Sequence, residues 1–173
     1  VEKKARTSER ENTLTIFNNK GNQVEKTFFS TTDKAMRNYV YRYDTKGNRA
    51  LVNEFKENGT LKTRYIYSYD PETNEVEINS YNGQGAFLQK EIRFYNDKQL
   101  PLEEEIYNKK GELEQKQINT YNDRDLCTET NIYNSDGELN LKYSYAYDDK
   151  GNMVERKKYA KDGKTLANHT YIY

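Results

Sequence analysis

Residues 41–48 read Tyr-Arg-Tyr-Asp-Thr-Lys-Gly-Asn, and residues 145–152 read Tyr-Ala-Tyr-Asp-Asp-Lys-Gly-Asn. In both stretches an alternating pair of tyrosines leads into an Asp, and a Gly follows three positions after that Asp. Asp or Asn that opens a turn can bond the backbone two residues on, and Gly accepts the left-handed conformation that closes it. Each stretch therefore predicts a β-strand that ends in a type I turn with a G1 bulge, a common hairpin connection.

Aromatic residues that open such turns recur along the chain in alternating short and long steps, such as Phe17 to Phe29 and then Phe29 to Tyr43. One short and one long step make a 26-residue unit, and six copies of that unit fill the chain. We call these aromatics the anchors: Phe17, Phe29, Tyr43, Phe55, Tyr69, Tyr81, Tyr95, Tyr107, Tyr121, Tyr133, Tyr147, Tyr159 and Tyr173. The turns near Asn74 and Gln99 lack the closing Gly, and a looser or different shape is expected there.

The segments between the turns are rich in Tyr, Ile, Val and Thr, and the only prolines are Pro71 and Pro101. This composition favours strands, and strands joined by tight turns are antiparallel neighbours. The sequence predicts an all-β fold, an antiparallel meander of about thirteen strands from six 26-residue hairpin repeats, forming a twisted or curled extended sheet. Residues 1–173 are expected to be one domain, with residues 1–8 a candidate disordered leader; a barrel, a spiral and an open ribbon are the alternatives for its curvature.

Alternate residues of a strand share one face of a sheet. One face is expected to carry the alternating tyrosines together with the remaining anchors, such as Phe55 opposite Leu61. A glutamate column at 26-residue spacing is expected on that same face: Glu77, Glu103, Glu129 and Glu155. The other face is expected to hold a column that includes Val40 and Ile66.

Composition limits the classes of function. The 173 residues carry 28 basic and 28 acidic side chains, so there is no overall basic excess of the kind that favours nucleic-acid binding. No apolar stretch is long enough for a membrane-spanning helix, so no membrane insertion is expected. The single cysteine, Cys127, excludes an internal disulfide framework. The chain begins with Val1, and we expect that an upstream signal segment was removed.

The signature Tyr-x-Tyr-Asp-x-x-Gly-Asn at residues 41–48 and 145–152, with a degenerate copy at 67–74, resembles the YD repeat of Rhs-like secreted bacterial proteins. The 26-residue repeat of this chain is longer than the usual YD unit. The resemblance implies β-hairpins joined into long strips, which in large members wrap into shells around a cargo polypeptide. It also implies export or cell-surface display and a scaffold or binding role. A weaker likeness exists to MORN-type hairpin arrays, which often mediate protein contacts. Neither family supplies catalytic residues.

The alternating tyrosines are the strongest functional candidates, because Tyr on a rigid sheet can stack on a sugar or anchor a protein at low entropy cost. The speculative ligand-binding residues are Tyr39, Tyr41, Tyr65, Tyr67, Tyr143 and Tyr145. The competing interpretation is structural, with the rings packing against each other. No cofactor and no metal are expected, since Asp and Asn in the turns are explained by turn geometry and the EF-hand pattern is absent.

A catalytic role has little support in the sequence. His169 is the only histidine and has no nucleophile motif to accompany it. The repeated glutamates suggest a charge-paired stripe more than the two carboxyl groups of a glycosidase. The sequence therefore predicts a non-catalytic secreted or cell-surface module that binds a glycan or protein through its Tyr-rich face. The alternatives are a wall segment of a larger YD-repeat shell or toxin-delivery protein and, less favoured, a glycan hydrolase, which a perturbed buried carboxylate pair would support.

Overall fold

A computed structural model describes residues 3–8 and 11–173, with the side chains from Asn12 onward. All regular elements in the described residues are β-strands, as predicted. The strands are β1 (Lys3–Ser8), β2 (Glu11–Phe17), β3 (Gln23–Phe29), β4 (Ala35–Tyr43), β5 (Arg49–Lys56), β6 (Leu61–Asp70), β7 (Glu75–Asn82), β8 (Phe87–Tyr95), β9 (Pro101–Asn108), β10 (Leu113–Tyr121), β11 (Cys127–Asn134), β12 (Leu139–Tyr147), β13 (Met153–Ala160) and β14 (Thr165–Thr170).

The strands follow one another in a single antiparallel meander whose spatial order is the chain order. Strands β2 to β14 are the thirteen that the repeat predicts, and β1 pairs with β2 ahead of them. The terminal strands each have one neighbour in this order, so the described sheet does not close into a barrel. Strand β1 falls within the candidate leader at residues 1–8, of which residues 1 and 2 lie outside the described residues; the disorder of that segment stays a prediction.

The turns are built as the sequence predicts. In the turn at 44–48 the Asp44 N–H donates to the Asn48 carbonyl at 2.8 Å, and Asp44 Oδ1 accepts the Asn48 N–H at 2.8 Å. Gly47 closes this turn with φ +91°. The expected loosening at Gln99 is wrong, because Gln99 takes φ +61° and keeps the same backbone bonds as a glycine turn. Asp33 and Asp125 do the same elsewhere, since short polar side chains tolerate the left-handed region.

Three anchors tie neighbouring strands together through their hydroxyl groups. Tyr43 Oη donates to the Gln23 carbonyl at 2.7 Å, Tyr121 Oη to the Pro101 carbonyl at 2.8 Å, and Tyr147 Oη to the Cys127 carbonyl at 2.7 Å. In each case the acceptor lies 20 residues earlier. A repeated bond of this kind explains why Tyr, and not Phe, stands at these turn starts. We call it the tyrosine latch.

The chain divides into two compact units. The first comprises residues 1–68 and 78–89, and the second comprises residues 69–77 and 90–173. Val52 and Ile78 are the only buried hydrophobic residues among the described side chains. Packing within each unit therefore depends on half-buried aromatic and polar side chains that cover the sheet faces. No stretch of the described chain forms a helix suited to crossing a membrane.

Candidate functional site

The strand registers of the first unit bring four of the predicted ligand-binding tyrosines onto one face. Residues directly opposite each other in an antiparallel pair share a face. Tyr39 lies opposite Glu54, and Tyr41 lies opposite Val52, which in turn lies opposite Tyr65. Tyr67 follows Tyr65 on the same side of β6 by strand alternation. We call the side of the first unit with Tyr39, Tyr41, Tyr65 and Tyr67 the first tyrosine face.

Aromatic rings on this face pack against one another and against cations. The Phe28 and Tyr39 ring centroids are 6.0 Å apart in an edge-to-face arrangement, and the Tyr39 and Tyr41 rings stack at 6.5 Å. Arg49 lies 5.0 Å from the Tyr41 ring centroid, and Lys26 lies 4.7 Å from that of Phe28. Aromatic pairs contribute about 0.5–1.5 kcal/mol each, and exposed cation–π contacts contribute about 0.5–1 kcal/mol each. The rings are therefore fixed, yet Tyr39, Tyr41, Tyr65 and Tyr67 all stay half-buried.

Glu54 is the buried polar centre of the first tyrosine face, with 4% of its surface exposed. Its Oε1 accepts from Tyr39 Oη at 3.2 Å and from Lys62 Nζ at 2.8 Å. Burial and the adjacent negative charge of Glu54 raise the pKa of both Tyr39 and Tyr65. These hydroxyl groups therefore remain protonated donors throughout the physiological range of pH.

The second unit holds the other predicted pair, Tyr143 and Tyr145, in β12. Tyr143 lies opposite Thr130 and Lys158, and Tyr145 lies opposite Arg156. Arg156 and Lys158 lie over the Tyr143 ring at 5.0 Å and 5.8 Å from its centroid. This side of the second unit, called the second tyrosine face, thus resembles the first in its cation–π packing. The six predicted tyrosines are divided between the two units, four in the first and two in the second.

Strands β8 and β10 carry polar pairs at the repeat positions of Tyr39 and Tyr41. In β8 these positions hold Glu91 and Arg93, which form an ion pair, and in β10 they hold Gln117 and Asn119, hydrogen-bonded at 3.3 Å. Asn119 lies opposite Thr130, so the β10 pair is on the second tyrosine face. The strand is formed in each case. The tyrosine pair is therefore not needed to make a strand at this place in the repeat.

In the second unit, Arg93 contacts a pair of carboxylates, Glu91 and Glu104. Arg93 Nε contacts Glu91 and lies 3.2 Å from Glu104 Oε2. Burial, followed by the nearby charge of Glu91, raises the pKa of Glu104, while Arg93 opposes that shift. Glu104 lies opposite Gln117 on the second tyrosine face. The sequence interpretation missed this pair, although Glu91 and Arg93 stand in phase with the tyrosines of the repeat.

Two face assignments made from the sequence are wrong. Glu129 lies opposite Ser144, and Glu155 lies opposite Ala146, residues that alternate with Tyr143 and Tyr145, so this column faces away from the tyrosines. Phe55 does pair with Leu61, but it follows Glu54 in β5 and therefore points to the opposite side. The hairpin bulges insert one residue at each turn, and the inserted residue reverses the parity that a simple count assumes.

The glutamates on the side away from the tyrosines form a charge-paired stripe, the arrangement that the sequence favours over a catalytic pair. Lys116 Nζ contacts Glu103 Oε1 at 2.6 Å and Glu105 Oε1 at 3.2 Å, and Tyr107 Oη donates to Glu105 Oε2 at 2.5 Å. The bond from Tyr107, with help from Lys116, lowers the pKa of Glu105. Lys142 pairs with Glu129 in the same way and lowers its pKa.

The remaining chemistry-bearing candidates are isolated. His169 is exposed in β14, opposite Arg156. Within the described residues there is no cluster of three or more His, Cys, Asp or Glu side chains placed to hold a metal ion. On the other face of the first unit, a depression of about 400 Å³ lies between Ile66, Tyr81 and the turn at 82–85. A Cβ atom at Gly83 would lie 2.1 Å from the Leu61 carbonyl oxygen, so a close backbone approach requires glycine there.

The fold and the site together define an all-β hairpin-repeat protein with aromatic–cation faces. A family model described as "Uncharacterised protein" matches residues 87–173, half of the chain, and the chain belongs to that family. None of the curated proteins matches the sequence.

Several solved structures are similar at low identity. A crystal structure of TcdB2-TccC3 is 15% identical over 92% of this chain, with a TM-score of 0.47, and this chain spans 10% of its length. The Tc holotoxin pore of Photorhabdus luminescens is 13% identical over 92% of this chain and 9% of that chain, with a TM-score of 0.35. A porin-like protein from Bacteroides uniformis is 12% identical over 97% of this chain and 74% of that chain, with a TM-score of 0.42. Likenesses at this level do not establish a shared function.

Proposed function

We propose that this protein is a non-catalytic binding module, secreted or displayed at the cell surface, that takes a glycan or protein ligand on its first tyrosine face. The observation that carries the proposal is the contrast between repeats. Strands β8 and β10 form with Glu91/Arg93 and Gln117/Asn119 where β4 has Tyr39/Tyr41. Because the fold accepts polar pairs at this position, the aromatic pairs of β4 and β6 have a role beyond strand formation.

The geometry of the first tyrosine face suits a binding role. Aromatic side chains are the usual anchors of recognition surfaces, since they offer a large contact area and lose little rotamer entropy. Tyr39 and Tyr41 in β4 and Tyr65 and Tyr67 in β6 flank the buried Val52 and Glu54 of β5. Four half-buried rings on two strands of one face form a larger aromatic patch than the single pair of β12.

A glycan array tests the proposal with two variants at matched repeat positions, Tyr41→Ala in β4 and Tyr145→Ala in β12. If Tyr41 contacts the ligand, its loss lowers affinity by about tenfold, the value of a contact worth about 1.4 kcal/mol. Tyr145→Ala is expected to change affinity by less than twofold. Far-UV circular dichroism establishes that both variants fold. Equal losses in the two folded variants, or no bound glycan or protein for the unaltered chain, would contradict the proposal.

A second candidate is a structural wall segment of a larger YD-repeat shell or toxin-delivery protein. The observation that favours it is the tyrosine latch of Tyr43, Tyr121 and Tyr147, which uses tyrosine hydroxyls to join neighbouring strands. A wall needs such bonds and needs no ligand on its faces. The array separates the two candidates, because a wall segment is expected to show no ligand that depends on Tyr41.

A further inference from the structure

The first tyrosine face carries an excess of positive charge, although the whole protein has a net charge of zero. Among the residues of this face in strands β3 to β6, Glu54 is the one carboxylate. Five cations reach the same face: Lys26, Arg37, Arg49, Lys56 and Lys62. Lys62 is paired with Glu54 at 2.8 Å, so these two charges neutralise each other, and Arg49 lies over the Tyr41 ring. Positive charge therefore exceeds negative charge on this face even when Arg49 is set aside.

Two of these cations lie in an arrangement that is unfavourable for the protein alone. Arg37 in β4 and Lys56 in β5 are directly opposite each other in the register, and both are exposed. Like charges at directly opposite positions of an antiparallel pair destabilise the sheet. Lys26 lies on the next strand, opposite Tyr39. Neighbouring strands are about 4.8 Å apart, so an extended anion that crosses these three consecutive strands would meet a cation on each of them.

The excess is larger on this face than on the opposite side of the same strands. On the opposite side of the same strands, Glu25 accompanies Arg42 and Arg64, and its Oε1 accepts from Asn38 Nδ2 at 2.7 Å. On the second tyrosine face, Arg93 is paired with a carboxylate, Glu104, whereas Arg156 and Lys158 lie opposite Tyr145 and Tyr143. The directly opposed cations Arg37 and Lys56 therefore distinguish the first tyrosine face from the second, where each of these cations has a tyrosine opposite it.

We infer that the ligand of the first tyrosine face is an anionic glycan, a sugar polymer that carries carboxylate or sulfate groups. The inference rests on the proposed function and names its ligand class. Anionic groups would relieve the repulsion between Arg37 and Lys56, and charge-assisted hydrogen bonds to Lys and Arg are about twice as strong as neutral ones. The half-buried Tyr39 and Tyr65 on the same face add phenolic hydroxyl groups, which can donate to and accept from sugar hydroxyls.

The packing of the rings favours a glycan over a nucleic acid. Single-stranded nucleic acids bind by stacking successive bases on open aromatic faces. Here Tyr39 stacks on Tyr41, Arg49 covers Tyr41, and Lys26 and Arg37 both lie over the Phe28 ring. The cations remain accessible above rings whose faces are already in contact. This surface offers charge and hydroxyl groups more than stacking platforms.

Binding measured by biolayer interferometry tests the inference with four immobilised probes: an oligogalacturonate, a heparin fragment, a neutral galactan of the same length and oligo-dT. Arg37→Gln and Arg42→Gln are matched variants, because both remove one exposed arginine from β4, on opposite faces. Arg37→Gln is expected to weaken binding to an acidic glycan by about tenfold, the loss of one charge-assisted bond. Arg42→Gln is expected to change it by less than twofold.

Lys56→Gln provides a second readout that a structural role would not produce. It removes one of two opposed like charges, so the unfolding free energy is expected to stay the same or rise while affinity for the acidic glycan falls. Binding to either acidic glycan with the Arg37 and Arg42 contrast supports the inference. Equal effects of Arg37→Gln and Arg42→Gln overturn it, as does binding of oligo-dT in preference to both acidic glycans. Binding of the neutral galactan alone overturns the charge assignment and leaves the proposed function standing. No binding to any probe overturns the inference and restricts the proposed function to a protein ligand.

Discussion

Two pairs of strands occupy equivalent places in the repeat, β4 with β6 and β8 with β10, yet the side chains that the two pairs present differ. Strands β4 and β6 present tyrosine pairs beside an excess of cations, whereas β8 and β10 present the Glu91/Arg93 and Gln117/Asn119 pairs. The turns that follow are closed in a similar way, by Gly47 after β4 and by Gln99 and Asp125 after β8 and β10, each with positive φ. Because the strands form with either kind of pair, the strand pattern does not depend on the tyrosine pairs.

The largest expected effect comes from giving β4 the chemistry of β10. The double substitution Tyr39→Gln with Tyr41→Asn is expected to lower ligand affinity about a hundredfold, because two ligand contacts worth about 1.4 kcal/mol each are lost. The strand should persist, since Gln117 and Asn119 already stand in one. Affinity and far-UV circular dichroism check the two halves of this prediction. A double variant that fails to fold would show that the tyrosine pair is structural in β4.

A smaller effect is expected at the latch, which belongs to the part of the repeat that both regions share. Tyr147→Phe removes the hydroxyl that donates to the Cys127 carbonyl and is expected to lower the unfolding free energy by about 1 kcal/mol. Tyr145→Phe, two residues earlier in β12, is the matched control and is expected to change it by less than about 0.5 kcal/mol. Urea denaturation measures both. Equal changes would remove the distinction between latch and pair positions.

The smallest expected effects are those on titration in β9, where neighbouring glutamates face opposite sides of the sheet. The pKa of Glu104 is raised, first by burial and then by Glu91, whereas that of Glu105 is lowered, first by the bond from Tyr107. Carboxyl NMR titration should therefore show Glu105 ionising below the ordinary glutamate pKa and Glu104 above it. The reverse order would contradict the face assignment of β9.

The two shifts have opposite consequences for stability. Glu105 has a folded pKa below its unfolded value, so its contribution is present above the unfolded pKa and is lost as pH falls through the folded one. Glu104 has a folded pKa above its unfolded value, so its contribution is present at low pH and is lost as pH rises through the folded pKa. Glu105→Gln should therefore destabilise the protein most at neutral pH, whereas Glu104→Gln should cost least there.

The sequence predicts the backbone of this protein well, because the regular spacing of the anchors and the turn residues specify where each strand ends. Strands β2 to β14 are confirmed, and so are the turns at the anchors from Phe17 to Tyr159, except after Tyr69, where β6 continues to Asp70 and the turn occupies residues 71–74. The faces were harder to predict. Each hairpin bulge reverses the alternation, so Phe55 and Glu129 were assigned to the wrong side. With the correct parity, Lys26, Arg37 and Lys56 could have been grouped with the tyrosines from the sequence.

The side-chain contacts of the first tyrosine face cannot be predicted from the sequence pattern. The bond from Tyr39 to Glu54 depends on the side-chain conformation of both residues, and no spacing rule specifies it. The position of Arg49 over Tyr41 depends in the same way on where a long flexible side chain lies after the turn. Three-dimensional packing decides which half-buried rings remain accessible to a ligand.

The central claim is that the ligand occupies the first tyrosine face, and methyl NMR during titration with an oligogalacturonate tests it most directly. Val52 and Thr63 lie on that face, while Val40 and Leu51 lie on the opposite one, in the same or adjacent strands. We predict that the methyl signals of Val52 and Thr63 shift with saturating dependence on ligand and that those of Val40 and Leu51 do not. Saturating shifts at Val40 and Leu51 without shifts at Val52 and Thr63 would place the ligand on the other side of the sheet and contradict the claim.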